Sequence, residues 1–150
     1  MKVKDIMTKK VISVAPEVKI GEIAKLLFDN NLTGMPVINK KNEVIGIVTE
    51  SDLISRDTKI HIPSYIQFLK KLDCAIEEKN DKMKKQCEKI INLTAKDIMT
   101  KNPICVESEA LIEKLAEIFT QKRINPIPVV KNNKLAGIVS RADLIKLLAS

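Results

Sequence analysis

Aromatic side chains are nearly missing: the 150 residues hold no Trp, one Tyr (Tyr65) and three Phe (Phe28, Phe68 and Phe119). Single-stranded nucleic acid is held largely by stacking on such rings, so that mode of binding has little to stand on here. Histidine is as scarce. His61 is the only one, and no Cys, Ser or carboxylate stands at a known motif spacing from it, which argues against an enzyme. The four glycines form no phosphate-cradling loop, and no Asp-rich metal cluster is visible. Cys74, Cys87 and Cys105 are odd in number and contain no Cys-x-x-Cys pair. That excludes a disulfide framework or a zinc site and fits thiols kept reduced in a cytosol. No run approaches the roughly 18 apolar residues of a membrane span, and the opening MKVKDIMTKK has no apolar leader core. The expectation is a soluble, cytoplasmic chain with no catalytic residues, no metal and no membrane partner.

What is present is 45% hydrophobic content, enough for a core, and a net charge of +7 spread along the chain without a basic arm. Most informative is a repetition. KDIMTK occurs at residues 4–9 and again at 96–101. At that offset EVKIGEIAKLL (17–27) falls on EALIEKLAEIF (109–119), and Met35-Pro36-Val37 falls on Ile127-Pro128-Val129. The register then slips by one residue, so that GIVTESDLI (46–54) falls on GIVSRADLI (137–145). A deletion confined to a turn is what a structural repeat tolerates. The chain therefore divides into copy 1 (1–58), an insert (59–92) and copy 2 (93–150).

Each copy reads β-α-β-β-α. A β-rich run (11–14 or 104–106) precedes a helix expected to open at Pro16-Glu17 or Ser108-Glu109. Ile20, Ile23, Ala24 and Leu27 form its apolar stripe, repeated by Ile112, Leu115, Ala116 and Phe119. MPVI and VIGIV, split by a polar turn, predict a β-hairpin, as do IPVV and LAGIV. Thr49 or Ser140 then opens a closing helix with Asp52 or Asp143 three residues on, the spacing of a capping box. One copy alone leaves a sheet face bare, so an α+β fold is expected in which the two copies pack sheet to sheet about a pseudo-twofold axis. The insert, with Tyr65, Phe68, Leu69, Leu72 and Ile76 in one stripe, predicts a helical strap or a dimerisation face.

A leading DIMT, a central MPV or IPV and a closing G-I-V-[TS]-x-x-D-L, each occurring twice and in order, resemble the tandem cystathionine-beta-synthase (CBS) domain pair, or Bateman module. The resemblance covers both copies and leaves only the insert outside. It implies two clefts between the copies that bind AMP, ADP, ATP or S-adenosylmethionine as regulatory ligands for energy sensing. It also implies dimerisation into a flat disc of four copies. Since copies and insert use up the chain, any regulated target is expected to be a separate protein.

An adenosine site needs acceptors for the ribose diol, apolar walls for the base and donors for phosphate. Asp52 and Asp143 are the expected acceptors. Thr49, Ser140 and the helix-start amides beside them suit phosphate oxygens. Ile12 with Met35 and Pro36, and Ile104 with Ile127 and Pro128, are the expected base walls, with backbone at Ser13 and Cys105 reading the adenine edge. Between hydroxyl and Asp, copy 1 has Glu50-Ser51 and copy 2 has Arg141-Ala142. Arg141 is thus expected to make the Asp143 site the better one for a phosphorylated ligand, leaving the Asp52 site weaker, empty or suited to S-adenosylmethionine. Thr33-Gly34 and Asn125-Pro126 stand where many family members carry a basic residue, which weakens the case for a triphosphate. The alternatives are a nucleic-acid-binding protein, suggested by the charge, and a structural or interaction module with degenerate clefts.

Overall fold

A computed structural model describes residues 1–54, 88 and 91–150. The expected helical insert, with His61, Tyr65, Cys74 and Cys87, falls outside these residues, apart from Glu88, Ile91 and Asn92 at its end. In chain order the described elements are α1 (Val3–Ile6), α2 (Ile20–Asp29), β1 (Gly34–Ile38), β2 (Val44–Thr49), α3 (Glu50–Ile54) and α4 (Ala95–Ile98). Then follow β3 (Thr100–Lys101), β4 (Val106–Glu107), α5 (Ile112–Lys122), β5 (Ile127–Lys131), β6 (Lys134–Val139) and α6 (Arg141–Ala149). The fold is α+β, with two three-stranded sheets ordered β1-β2-β3 and β4-β5-β6.

Both hairpins are antiparallel and bulge at matched places, between Val37 and Ile38 and between Val129 and Val130. The copy 2 hairpin closes on Asn132 and Asn133, both at positive φ, the conformation of a tight two-residue turn. Copy 1 instead uses a longer turn, tied by the Asn39 side chain, which accepts hydrogen bonds from the Lys41 and Glu43 amides. The register slip in the repeat lies between these two turns. The two hairpin tips also touch, since Leu135 N donates to Asn42 O at 2.9 Å.

The repeated hexapeptides are exchanged between the copies. Thr100 and Lys101, from copy 2, pair with Ile47 and Gly46 as the third strand of the copy 1 sheet. Reciprocally, Thr8 bridges Ile138 on the edge of the copy 2 sheet. Ala95 and Ile98 lie in the core built by Ile20, Ile23, Leu27, Met35, Val37 and Val48. Val3 lies in the other core, with Leu115, Phe119, Ile127, Val129 and Val139. Within each hexapeptide the Asp caps its own short helix: Lys2 N donates to Asp5 and Thr94 N to Asp97, both at 2.8 Å.

The exchange moves the start of the long helices. Lys19 bridges Thr94 and Leu111 bridges Lys2, which holds both residues extended at ψ 152 and 149. Helix therefore begins at Ile20 and Ile112, not at Pro16-Glu17 or Ser108-Glu109, because a tertiary bridge outweighs the local opening signal. The expected stripes are otherwise inward, with Ile23 and Leu115 at 0% exposure, except that Ala116 faces solvent. In copy 1 the leading β run reduces to a single bridge, Val14 with Val37.

Candidate functional site

Two clefts lie between the copies at matched positions. The larger, about 400 Å³, is lined on one side by Ile47, Thr49, Ser51 and Asp52. Its other side comes from copy 2: Thr100, the stretch Asn102 to Ile104, and the stretch Arg123 to Pro126. The second, about 320 Å³, carries Ile138, Val139, Ser140, Ala142 and Asp143 opposite Thr8, the stretch Lys10 to Ile12, and the stretch Asn31 to Gly34. Both volumes fall within the roughly 300–1,000 Å³ usual for small-molecule sites. Each cleft thus takes its carboxylate from one copy and most of its remaining wall from the other. Asn125 and Pro126 border both.

The local geometry of the two carboxylates is nearly the same. Thr49 N and Oγ1 donate to Asp52 Oδ2 at 2.7 and 3.2 Å. Ser140 N and Oγ donate to Asp143 Oδ2 at 2.6 and 2.8 Å. Capping therefore uses one oxygen, and Oδ1 of each Asp accepts no hydrogen bond from a described residue. Burial pushes the Asp52 carboxyl above the usual carboxylate range, against the opposing pull of the Thr49 amide and hydroxyl. The first amide of each closing helix is already engaged: Glu50 N donates to Thr33 O at 3.0 Å and Arg141 N to Asn125 Oδ1 at 2.9 Å.

Of the residues expected from sequence, Ile12, Thr49, Ser51, Asp52, Ile104, Ser140 and Asp143 border the clefts. Ile12 shares a cleft with Asp143, and Ile104 shares one with Asp52, because the leading segments are exchanged. Met35, Pro36, Ile127 and Pro128 are fully buried instead, Met35 and Ile127 at 0% exposure. Met35 and Ile127, near the starts of the central hairpin strands, join the two cores. Ser13 and Cys105 are half-buried and do not line either cleft, and the Cys105 thiol, pushed up first by burial, donates weakly to Pro103 O at 3.5 Å. Arg141 and Glu50 are exposed and line neither cleft, since the closing helices present residues 142–143 and 51–52 inward. The charge contrast expected from that pair therefore does not reach the cleft walls. Sequence reasoning missed Thr8, Thr100, Lys10, Asn102 and Arg123. Thr8 and Thr100 were visible as the fifth letter of the repeated hexapeptide, whereas the others differ between copies and carry no repeat signal. Among the described residues no three His, Cys, Asp or Glu side chains gather as a metal site.

The CBS domain model matches residues 3–59 and 95–150. This chain belongs to the CBS domain family. Among its CBS relatives is an uncharacterised protein of Methanocaldococcus jannaschii, 29% identical over 99% of this chain and 91% of that one. Inosine-5'-monophosphate dehydrogenase of the same organism is 27% identical over 97% of this chain, which spans only 23% of that enzyme. Solved CBS structures share the fold. The CBS domain pair of protein MJ0100, in complex with 5'-methylthioadenosine and S-adenosyl-L-methionine, has a TM-score of 0.69 at 23% identity and covers 99% of this chain and 96% of that one. CBSX2 in complex with AMP has a TM-score of 0.72 at 23% identity, with the same coverage. No described helix is long and apolar enough to cross a membrane.

Proposed function

We propose that this CBS domain pair senses an adenosine-containing ligand of the AMP, ADP, ATP or S-adenosylmethionine type. It binds that ligand in the two clefts and regulates a separate partner protein, as a homodimer in the cytoplasm. The observation that carries this reading is the pair of half-used carboxylates. Asp52 and Asp143 each border a cleft, and among the described residues only Oδ2 of each accepts hydrogen bonds, those of the helix start, so capping and ribose binding can use different atoms of one side chain. A vicinal diol presents two donors, and a carboxylate oxygen has two lone pairs to receive them. Ile104 or Ile12 supplies an apolar wall for a base. The MJ0100 pair and CBSX2, which share this fold, were solved with adenosine compounds, which supports the ligand class.

A ligand shifts the partner's state only to the extent that it prefers one arrangement of the copies, and clefts walled by both copies meet that condition. Thermal melting with AMP, ATP and S-adenosylmethionine tests the reading. A ligand at 100 times its dissociation constant stabilises by about 2.7 kcal/mol. No shift with any adenosine compound would overturn it.

A further inference from the structure

The two clefts share a plan but not a charge arrangement. Each is bordered by one Asp and one cation, and the cation changes sides. In the Asp143 cleft it is Lys10, on the leading segment, with Asn31 at the end of the preceding helix. In the Asp52 cleft the leading segment supplies Asn102, and the helix end supplies Arg123. We propose that Arg123 selects for phosphate in the Asp52 cleft, so that this cleft discriminates in favour of a phosphorylated adenosine ligand. The proposal rests on the adenosine reading above.

Three observations carry it. First, the Thr49 hydroxyl donates to Asp52 and the first amide of α3 donates to Thr33 O, and the other donors that border the cleft, such as the Ser51 and Thr100 hydroxyls, are neutral. The charge of a phosphate must then be met largely by a side-chain cation, and Arg123 is the only one bordering this cleft among the described residues. Second, Arg123 forms no ion pair with Asp52 or with any other described carboxylate. A nucleoside 5'-phosphate carries its diol and its phosphate at opposite ends of the ribose, and a cleft whose acceptor and cation remain apart matches that layout. Third, the helix-end position has φ 51 in both copies, a left-handed conformation that suits Asn, as at Asn31, better than Arg. Backbone preference does not explain an arginine there.

The two cations are also chemically unequal. A guanidinium is a planar fork that pairs with two phosphate oxygens at once, whereas an ammonium is a hydrated point charge on a flexible stem. The twin cleft further has Ala142 where this one has the Ser51 hydroxyl.

The test is calorimetric titration of the full chain with AMP and with adenosine, in an Asp143→Asn background that isolates the Asp52 cleft. Arg123→Asn, which installs the residue of the matching copy 1 position, should lower the AMP-to-adenosine affinity ratio at least tenfold. Arg123→Lys should recover part of it, and Lys10→Asn should move it less than twofold. If Asp143→Asn does not fold, the same ratios are read from two-site isotherms with Asp143 intact. A ratio unchanged by Arg123→Asn in a chain that melts normally, or one collapsed by Lys10→Asn instead, overturns the Arg123 assignment alone. Binding of neither compound to the wild-type chain overturns this assignment, and failure of ATP and S-adenosylmethionine to bind as well overturns the adenosine reading with it.

Discussion

Met99 lies directly over Gly46. A Cβ placed on Gly46 would come 2.9 Å from Met99 Cγ and closer still to its sulfur. Gly137 stands in the same relation to Met7, and Thr8 O would also lie 3.1 Å from its added Cβ. The glycine of each G-I-V motif is therefore the seat for the methionine of the other copy's DIMT. Sequence distance hides this pairing, because each Met lies closer in the repeat to its own copy's glycine.

Gly46→Ala and Gly137→Ala should each destabilise the fold by roughly 1–3 kcal/mol, the usual range for overpacking. Gly137→Ala should be the worse of the two, since one of its neighbours is backbone that cannot swing aside. Urea denaturation measures both. Pairing Gly46→Ala with Met99→Ala should return part of the loss as a coupling energy.

Ile98→Ala should cost about 2–4 kcal/mol, within the range for truncating a buried Ile. Ile98 belongs to copy 2 in sequence but to the copy 1 core in space. The loss should therefore appear as a shift of one shared unfolding transition. Two separate transitions by circular dichroism and calorimetry would contradict the interlocked packing.

Asp52→Asn and Asp143→Asn should each weaken adenosine binding at least tenfold in their own cleft, as expected when a charged acceptor is lost. Asp143→Asn should also lower the unliganded melting temperature slightly, because its carboxylate caps a helix at a worth of about 1 kcal/mol, whereas in Asp52→Asn that loss is offset by relief of the burial that raises the Asp52 carboxyl. Titration calorimetry and ligand-free melting separate the two effects.

Glu109 accepts from Lys2 Nζ at 2.6 Å and Lys4 Nζ at 2.8 Å, and those hydrogen bonds hold its carboxyl at about 2, below the ordinary 4.5. The folded value is the lower one. The stability it contributes is therefore full above about 4.5 and disappears as pH falls toward 2. Glu109→Gln should lower the melting temperature at pH 7, with the difference from wild type closing over that window. Molar salt should shrink the effect, because all three side chains are well exposed.

Asn125→Ala should weaken ligand binding in both clefts, since Asn125 borders both and its Oδ1 holds the first amide of α6. Copy 1 holds the matching amide with the Thr33 carbonyl, so Thr33→Ala should leave that bond in place. Comparing the two variants by calorimetry isolates the role of the side chain.

Much of the fold was legible because duplication prints every structural constraint twice. The stripe of Ile20, Ile23 and Leu27, matched by Leu115 and Phe119, reflects a helix period, and the two hairpins reflect a strand period. Both follow from which side chains avoid water within a few turns of chain. Asp52 and Asp143 were legible for the same reason, since a capping spacing is local. Met35 and Ile127 lie in the cores and not in the cleft linings, because alternation along a strand gives two faces without saying which of them meets a cleft.

The sequence by itself determined the two-copy plan, because the repeat is written out in its letters, and the order of elements in each copy and the carboxylates at the helix starts, because these depend on spacing within single elements. Only the tertiary structure decided that the hexapeptides change places, that Ile12 faces Asp143 and not Asp52, and that Arg123 instead of Arg141 borders a cleft. Those outcomes depend on which copy's sheet edge and core each leading segment joins. The copies share the same hexapeptide and nearly the same edge, so their local letters carry no preference between the two pairings.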